Sequence, residues 1–485
     1  MLGKQDRLQE HLFVSCSLRE LIPDDHILRR VDKVLDLSWL RDEVRDLYCE
    51  VNGRPSIDPE AAVRLMLAGY FQGIVQDRKL MREAQVNLAI RWFAGYQLHE
   101  TLPDHSSLTR IRQRWGAERF RRIFQKTVEA CVKAKLVTGE TVHVDATLVR
   151  ADVSWESLTE RHVDEVLATN VSDDPAPDGG GERLPTRGRP RAPRPRAKKY
   201  SPTDPDATMA TSCRQYHLEP TYKQHTAVDD QAGVIVDVEV TTGEASEGAQ
   251  LPEQIERIET NTGTPPATVT ADGAYAHSAN YAHCEERDVA AVIPPQRERR
   301  RPKRIPARRF KYDARHQRVR CPGGRVLRRS SRAKNGWVYR AKACDCRRCP
   351  LRERCISPTA SSRSIVIVDG YAALLRARRR WPQRDAATRR LYSRHRWRVE
   401  GVHGEAKTQH GLRRAVRRGL WNVAIQAYLT AAVMNLKRLA ALLWALCVER
   451  WTQRQPPSGA DGPDVPHARH CECVGKHIDA ARYAA

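Results

Sequence analysis

Two aspartates each follow a short apolar run that is typical of a β-strand. Asp145 comes after Thr-Val-His-Val, and Asp272 comes after Ala-Thr-Val-Thr-Ala. A carboxylate at the end of a strand is held rigidly at the rim of a sheet. Two such groups on adjacent strands, with a third from a helix, can bind a pair of hard divalent cations and support displacement at a phosphodiester. A lone aspartate in this place is more often a turn residue or a helix cap, so the prediction depends on the pair.

The third carboxylate is assigned to Glu400, which lies in a segment with helical spacing. Four residues of this segment follow one another at intervals of four, three and four: Arg396, Glu400, His403 and Lys407. On a helix this spacing places them on one face, and we expect the three basic residues to hold phosphate groups beside the acid. A surface ion pair is the alternative interpretation. Two acids after a strand are weaker candidates for the third carboxylate: Glu244 and Glu247.

Five cysteines close together form a second candidate site: Cys321, Cys344, Cys346, Cys349 and Cys355. Cys346 and Cys349 form a Cys-x2-Cys pair, and the Cys-Pro-Gly-Gly sequence at Cys321 has the composition of a metal knuckle. Four thiolates suit a tetrahedral structural zinc ion. We assign Cys321, Cys346, Cys349 and Cys355 to it, with Cys344 as a competing ligand. Reduced cysteines in a basic insertion are the alternative, and the polar N-terminus gives no reason to expect disulfides.

Basic residues outnumber acidic ones along the chain. Lys and Arg number 83 against 59 Asp and Glu, for a net charge of +24. Such an excess indicates a polyanionic partner, and we expect double-stranded DNA. A merely soluble or ribosome-associated basic protein would carry the same charge. The most apolar stretch, residues 423–447, contains polar and charged residues, so we predict a packed helix and no membrane association. The polar N-terminus leads us to expect a cytoplasmic protein.

Residues 1–138 carry apolar residues at helical spacing. Asp58 followed by Pro59 predicts a helix start, and Asp104 or Ser106 is expected to cap a later helix. That helix carries three arginines close together: Arg110, Arg112 and Arg114. With the helix before it, it resembles a helix-turn-helix that grips DNA. A helical bundle with a solvated charged face is the alternative.

A basic, proline-rich stretch forms a further candidate DNA contact. The sequence Arg187-Gly188-Arg189-Pro190-Arg191 resembles an AT-hook core, which enters a narrow A·T minor groove. Its alternative is a linker that makes non-specific phosphate contacts. In either case it should strengthen DNA binding in a salt-dependent manner.

The order of these elements predicts an α/β fold with a mixed sheet. Strand patterns occur at residues 225–228, 234–241, 267–271 and 289–293, with a helix at 251–260. The predicted regions are a helical DNA-binding domain (1–138), the first part of an α/β catalytic domain with a disordered basic loop at 170–200 (139–296), a basic cysteine-rich insertion (297–360), the C-terminal helices of the catalytic domain (361–450) and a flexible tail (451–485).

Taken together, these stretches resemble a bacterial insertion-sequence transposase of the DDE superfamily. One branch of that superfamily has a Tyr-Arg-Glu-Lys signature, with three residues between Arg and Glu and six between Glu and Lys. Arg396, Glu400 and Lys407 fit that spacing, whereas Tyr392 lies one residue further upstream than the pattern. Five other stretches resemble the same branch: residues 54–59, 103–108, 143–147, 201–207 and 271–275.

The resemblance implies an RNase H-like catalytic domain. Asp145, Asp272 and Glu400 would bind two Mg²⁺ ions, for which Mn²⁺ can substitute, and Arg396 and Lys407 would contact DNA near the cut. The implied activity is cleavage at the terminal inverted repeats of a mobile element and strand transfer by a homodimer. The alternatives are a plain nuclease, a DNA-binding regulator derived from an inactive transposase, and a recombinase that uses Tyr392 as its nucleophile.

Overall fold

A computed structural model describes residues 17–49, 56–154, 158–161, 198–210, 218–296 and 304–452. The predicted AT-hook arginines, Arg187 and Arg189, lie outside these residues, as do most of the predicted loop at 170–200 and the tail after residue 452. The described chain forms two compact units. The first comprises the residues up to Leu136, Val149–Ala207 and the chain from Gly404 onward. The second comprises Val137–Leu148 and Thr208–His403.

The secondary structure of the described residues is as follows. The helices are α1 (Ile27–Asp32), α2 (Leu40–Val44), α3 (Pro59–Phe71), α4 (Asp77–Val86), α5 (Leu88–Ala94), α6 (His105–Lys133), α7 (Leu251–Thr262), α8 (Ser278–Glu286), α9 (Ala343–Arg347), α10 (Arg352–Cys355), α11 (Tyr371–Arg380), α12 (Ala386–Gln409) and α13 (Leu420–Thr452). The strands are β1 (Thr141–Arg150), β2 (Thr159–Arg161), β3 (Lys198–Tyr200), β4 (Thr208–Ala210), β5 (Glu219–Asp229), β6 (Ile235–Thr242), β7 (Thr268–Ala271), β8 (Ala290–Val292), β9 (Lys311–Asp313), β10 (Arg318–Arg320), β11 (Val326–Ala333), β12 (Gly336–Arg340) and β13 (Ser364–Val368).

The helices of the first unit begin where the sequence predicts them. Asp58 caps α3: its carboxylate accepts from the backbone N–H of Glu60 at 2.7 Å, and Pro59 occupies the first turn. Asp104 caps α6 and accepts from the N–H of Ser106 at 2.8 Å. A capping carboxylate satisfies backbone N–H groups that have no partner within the helix. These two starts are therefore set by local sequence.

Helix α13 is the long apolar helix of the first unit. By length and composition alone its segment Leu420–Val448 could cross a membrane, and 44% of the most apolar part of it is buried within the structure. The Phe124 ring of α6 stacks on the Tyr428 ring with centroids 6.3 Å apart. The buried Gln426 side chain donates to the backbone carbonyls of Gly411 and Arg414. Interior polar groups with such partners are typical of a helix packed inside a protein.

Two aspartates of the predicted 201–207 motif cap this helix. The Asp204 carboxylate accepts from the Gly419 N–H at 3.2 Å, and the Asp206 carboxylate accepts from the Leu420 N–H at 2.9 Å. Negative charge at a helix N-terminus also interacts favourably with the helix dipole. The motif therefore has a structural role at the start of α13.

The main sheet of the second unit is mixed. Its strand order is β4-β5-β1-β7-β8, and β6 also pairs with β5. Strand β7 is parallel to both β1 and β8, whereas β5 and β6 form an antiparallel hairpin. The predicted strands and the predicted helix α7 are confirmed. A mixed sheet with helices is the α/β architecture that the sequence predicts.

One predicted strand boundary is wrong. We expected the first strand to end at Asp145, but β1 continues to Arg150. The residues after Asp145 include Thr147, Leu148 and Val149, whose side chains favour extended backbone. Asp145 thus lies inside β1, next to the point at which β7 ends.

The cysteine-bearing insertion folds as a second, antiparallel sheet with the order β13-β12-β11-β10-β9. Alternate side chains point to opposite faces. One face is apolar and buried, with Val319, Leu327, Tyr339, Ile365 and Ile367. The other face is exposed and basic, with Lys311, Arg318, Arg320, Arg328 and Arg340.

Candidate active site

The two predicted aspartates are neighbours on adjacent parallel strands. In the β1–β7 ladder Val144 pairs with Ala271. Asp145 follows Val144 and Asp272 follows Ala271, so the two aspartates come next to each other. Neighbouring strands lie about 4.8 Å apart, which brings the two carboxylates to one place on the sheet. Asp272 also begins the short helix Gly273–Tyr275, where its carboxylate accepts from the Ala274 N–H at 2.7 Å.

Burial and the other acidic side chains near Asp145 raise the pKa of its carboxyl. Burial raises the pKa of the Asp145 carboxyl to about 7, and the negative charges of Asp272, Glu247 and Glu400 add to this effect. Glu400 is supplied by α12, and Glu247 by the short helix Glu247–Gln250 after β6. The structure therefore gathers four acids, whereas the sequence placed Glu247 behind Glu400. Lys223 lies 3.1 Å from Glu247 and offsets part of its charge.

Divalent cations suit this donor set. Hard cations prefer carboxylate oxygens, and a carboxyl with a raised pKa among other acids is one whose charge lacks compensation. Within the part of the chain that the structure describes, no group of three or more His, Cys, Asp or Glu side chains is already arranged to hold a metal ion. The acids share one region without closing on a common point.

Arg396 and Glu400 form an exposed ion pair on α12. The Arg396 Nε lies 3.0 Å from the Glu400 carboxylate, and the two side chains are 81% and 60% exposed. An exposed pair of this kind contributes about 0–1 kcal/mol. Each partner can therefore exchange the other for a phosphate or a cation at little cost.

His403, which we assigned to the same helix face as Arg396 and Glu400, is buried. Its side chain is only 9% exposed, and its Nδ1 lies 3.9 Å from the Asp145 carboxylate. Val399 and Val402 are buried on the same helix, and His403 borders this buried stripe because a helix repeats every 3.6 residues. His403 thus belongs to the surroundings of Asp145 and not to an exposed phosphate-binding face. Lys407, one turn further on, is half-buried.

A chain of buried hydrogen bonds stands behind the acids, and the sequence did not reveal it. Thr270 Oγ1 lies 2.7 Å from His143 Nδ1 and 2.8 Å from His395 Nδ1. His143 Nε2 lies 2.9 Å from the Asp230 carboxylate. Burial lowers the pKa of His143, and it lowers that of His395 to about 4, so both rings are neutral near pH 7.

The hydrogen-bond directions follow from the carboxylate at one end. An ionised carboxylate only accepts, so His143 Nε2 donates to Asp230 and its Nδ1 accepts from the Thr270 hydroxyl. The Thr270 oxygen then accepts from His395 Nδ1. His143 and Thr270 lie two residues before Asp145 and Asp272 in their strands. These hydrogen bonds therefore connect α12 to the two strands that carry the aspartates. The one signal in the sequence was a histidine inside an apolar strand.

Asp230 also contacts α12 directly. Arg394 lies 2.7 Å from its carboxylate, and Arg398 donates to the adjacent Gln231 carbonyl at 2.9 Å. These contacts fix the segment of α12 that precedes Glu400. The long-range position of Glu400 is thus set by residues on the β5–β6 turn.

Two tyrosines adjoin the acids. The Tyr275 hydroxyl is fully buried and has no hydrogen-bond partner among the residues that the structure describes. Burial, with the charges of Asp145, Glu247 and Asp272, raises its pKa well above 10. Tyr392 stacks on the His395 ring, and burial with the charge of Asp272 raises its pKa. A raised pKa makes a phenol a poorer nucleophile at neutral pH, which disfavours the recombinase alternative.

The three predicted arginines of α6 lie in different environments. Arg110 and Arg114 are exposed, and Arg114 stacks over the Tyr48 ring at 4.7 Å. Arg112 is 2% exposed and donates twice to the Asp77 carboxylate, at 2.7 and 2.9 Å. Its predicted DNA contact is therefore wrong: residues two apart lie about 200° apart around a helix, so Arg112 faces the core.

The four cysteines assigned to zinc line one small cavity: Cys321, Cys346, Cys349 and Cys355. The fifth, Cys344, is exposed and does not line it. All five are free thiols in the structure. The geometry thus separates the four assigned cysteines from the competing one.

Two family models match the chain. One, described as a transposase domain (DUF772), matches residues 16–114, and one, described as a transposase DDE domain, matches residues 320–440. The first covers helices α1–α5, and the second includes Glu400. Asp145 and Asp272 lie between the two matched ranges. No curated protein matches the chain.

Solved transposase structures have low similarity to the chain. The Mos1 transposase paired-end complex with the left transposon end is 12% identical over 50% of this chain and 61% of that chain, with a TM-score of 0.15. The Mos1 mariner paired-end complex with Mn is 11% identical over 52% and 64%, also with a TM-score of 0.15. The piggyBac transposase synaptic complex with hairpin DNA is 11% identical over 91% and 82%, with a TM-score of 0.29.

Those scores are too low to support an argument, and the chain spans less than two thirds of the Mos1 chains. The informative comparisons are the two matched domains. They agree with the Arg396, Glu400 and Lys407 spacing and with the mixed sheet that carries Asp145 and Asp272. Two regions of the chain, which together make up less than half of it, thus match transposase domains, one of them a DDE domain.

Proposed function

We propose that this protein cuts DNA at the terminal inverted repeats of a mobile element and joins the freed end to a target. The observation that supports this most directly is the parallel β1–β7 register, which sets Asp145 beside Asp272, together with the charge of Glu400 acting on Asp145. Acids from distant parts of the chain gathered in a strongly basic protein suit metal-dependent chemistry on a polyanion.

Asp145, Asp272 and Glu400 would hold two Mg²⁺ ions, or Mn²⁺ in their place. When bound, such ions activate an attacking oxygen and stabilise a leaving oxygen. In the first step water attacks a phosphodiester, and the broken bond leaves a free 3′-hydroxyl. In the second step that hydroxyl attacks a phosphodiester of the target. A new bond forms from its 3′-oxygen to the phosphorus, and the 3′-oxygen of the preceding target nucleotide leaves. No bond to the protein forms in either step.

The basic side chains would bind and orient the DNA. Arg396 is exposed beside Glu400 and can leave its weak ion pair for a phosphate. Arg110 and Arg114 are exposed on α6, within the helical region that we propose as a DNA-binding domain. Lys407 is assigned to DNA contact by the signature spacing alone. We propose a homodimer on DNA, because two ends must be paired, acting at the nucleoid.

The test is cleavage of a plasmid that carries the inverted repeats flanking the gene. Asp145→Asn should abolish cleavage in Mg²⁺ or Mn²⁺, because the amide lacks the charge that holds a cation. DNA affinity should stay within about twofold. Glu253→Gln, which alters an exposed acid on α7 that is 72% exposed, is the matched control and should cut normally. An active Asp145→Asn protein would refute the assignment.

A readout without catalysis tests the ion site separately. Mg²⁺ should raise the melting temperature of the wild type, because a ligand that binds only the folded state stabilises it by about 2.7 kcal/mol at a concentration a hundredfold above Kd. Asp145→Asn should lose most of this shift. An equal shift in both proteins would place the ions elsewhere.

Two alternatives are separated by the products. A plain nuclease would release 3′-hydroxyl ends and never join them, so a strand-transfer assay with a labelled target distinguishes it. A regulator derived from an inactive transposase would bind the repeats specifically without cutting them in Mg²⁺ or Mn²⁺. The retention of all three acids beside two transposase domains speaks against that regulator.

A further inference from the structure

Cys321 begins a tight turn at the end of β10. Its backbone N–H donates to the Arg325 carbonyl at 2.8 Å, and its own carbonyl accepts from the Gly324 N–H at 2.9 Å. Gly324 has φ of +81°, a conformation that favours glycine. The turn therefore folds the backbone tightly around the Cys321 side chain, as a metal knuckle does.

The other three cysteines come from a short helical segment. The Cys349 N–H donates to the Cys346 carbonyl at 3.4 Å, and Cys355 is the last residue of α10. Of these three, the Cys349 sulfur lies near the knuckle: a Cβ built on Gly323 would lie 3.3 Å from Cys349 Sγ and 3.7 Å from the Sγ of Cys321. The absence of a side chain at Gly323 thus leaves room between them.

All four thiols line a single cavity of about 30 Å³. A cavity of this size can hold an ion or a water molecule. Its remaining walls include apolar residues, one acid and three arginines: Asp345, Arg325, Arg352 and Arg363. Arg363 is held in place because it donates to the Cys355 and Ile305 carbonyls.

We propose that Cys321, Cys346, Cys349 and Cys355 bind one structural zinc ion. Four thiolates are a closed tetrahedral set for zinc, with no position left for a substrate. A zinc ion with four thiolates carries a net charge of −2, which the neighbouring arginines offset. Among the residues that the structure describes, no three of these groups are yet arranged as metal ligands, so ion binding would have to draw the thiols inward. The site is separate from the carboxylates and does not depend on the proposed DNA chemistry.

The ion would stabilise the sheet that the cysteines flank. Strands β9 and β10 have three residues each, and the buried face of the sheet has five apolar side chains that pack there. Small elements with so little apolar surface commonly need a metal or a disulfide. Zinc would join the β10 end to the α9–α10 segment, and its binding energy would become folding energy for this region.

The experiment measures zinc in the full chain purified without chelators. We expect one zinc per chain in the wild type and in Cys344→Ser, whose side chain lies outside the cavity. Cys349→Ser should retain less than a fifth of that zinc. The proposal is overturned if the wild type contains no stoichiometric zinc, or if Cys349→Ser keeps as much as Cys344→Ser.

A second measurement covers the case in which Cys349→Ser fails to fold. Wild-type protein from which zinc has been removed is loaded with Co²⁺, and its visible and near-ultraviolet spectrum is recorded. Four thiolates should give intense tetrahedral bands with thiolate charge transfer, and one equivalent of Zn²⁺ should remove them. A weak octahedral spectrum would overturn the assignment. Plasmid cleavage plays no part in either readout.

Discussion

The ionised form of the Asp145 carboxyl destabilises the folded protein, because the side chain is buried among other acids. It lies three quarters buried inside β1, and burial with the charges of Asp272, Glu247 and Glu400 raises its pKa to about 7. Sites that must bind a cation commonly carry such unfavourable charge when the cation is absent. Stability and function therefore make opposite demands on this side chain.

We predict that Asp145→Asn stabilises the protein at pH 8 in buffer without Mg²⁺ or Mn²⁺. The folded pKa, about 7, lies above the ordinary value of 3.8, so the contribution of this group is fully present below pH 3.8 and is lost as the pH rises through 7. The neutral amide avoids that loss. The upper limit is about 4 kcal/mol, since one pKa unit corresponds to about 1.4 kcal/mol.

The measurement is the melting temperature of both proteins between pH 5 and pH 8. The difference should grow as the pH rises, and Glu253→Gln should show no such trend. Should Asp145→Asn melt at or below the wild-type temperature at pH 8, the crowding of acids around Asp145 is not what the structure indicates.

At the scale of elements, the buried hydrogen bonds decide where Glu400 lies. Thr270 links His143 on β1 to His395 on α12, and the rings of the two histidines have centroids 5.7 Å apart. A residue that touches no reacting atom can in this way control a site through another. Thr270 is thus a positioning residue.

We predict that Thr270→Val raises the Mg²⁺ concentration needed for half-maximal cleavage by about 10–100-fold, the usual effect of removing a partner behind a metal ligand. Valine has the same shape but leaves both histidine nitrogens without the hydroxyl, at a cost of about 1–3 kcal/mol. Thr270→Ser keeps the hydroxyl and should need the same Mg²⁺ concentration as the wild type. Thr268→Val, on the same strand, should also match the wild type. An unchanged Mg²⁺ requirement in a folded Thr270→Val protein would contradict the positioning role.

Two arginines on helix α6 are expected to have different roles: the buried Arg112 stabilises the fold, and the exposed Arg110 contacts DNA. We predict that Arg112→Ala lowers the free energy of unfolding by about 3 kcal/mol, because it removes a partner of the buried Asp77. Arg417 also pairs with Asp77, which keeps the loss at the low end of the usual range. Arg110→Ala should change stability by less than about 0.5 kcal/mol and weaken DNA binding.

Urea denaturation and fluorescence anisotropy with labelled DNA measure these two effects in parallel. The expected pattern is opposite in the two variants. A stable Arg112→Ala protein with impaired DNA binding would restore the original prediction for that arginine and reject the burial argument.

For the whole molecule, the net charge of +24 makes the affinity for DNA depend strongly on ionic strength. The exposed face of the β9–β13 sheet contributes to that charge through Arg320 and Arg328. We predict that replacing both by Gln weakens binding and lowers the slope of log affinity against log salt by about 2, or about 1 for each phosphate that the protein no longer neutralises.

The slope is obtained from anisotropy titrations between 50 and 300 mM salt, roughly the range over which such binding changes most. Arg376→Gln is the control, because Arg376 pairs with Glu285 on α8 and should leave the slope unaltered. An unchanged slope in the Arg320 and Arg328 double variant would remove this sheet from the DNA-binding surface.

Local chemistry made much of this protein readable from its sequence. Asp58 and Asp104 predicted helix starts because a cap depends on backbone N–H groups within three residues of it. Short runs of apolar and β-branched residues beside turn residues predicted β5, β6 and β7, because these residue types favour extended backbone. The acids, the signature spacing and the net charge likewise required no knowledge of distant contacts.

Only the tertiary structure decided which side chains meet and which are buried. The register of β1 against β7 set Asp145 beside Asp272, and packing turned Arg112 and His403 inward, away from the surfaces predicted for them. The Thr270 hydrogen bonds and the charge of Glu247 on Asp145 join residues far apart in the chain. The reason is physical: burial and long-range hydrogen bonding depend on partners that no local pattern specifies.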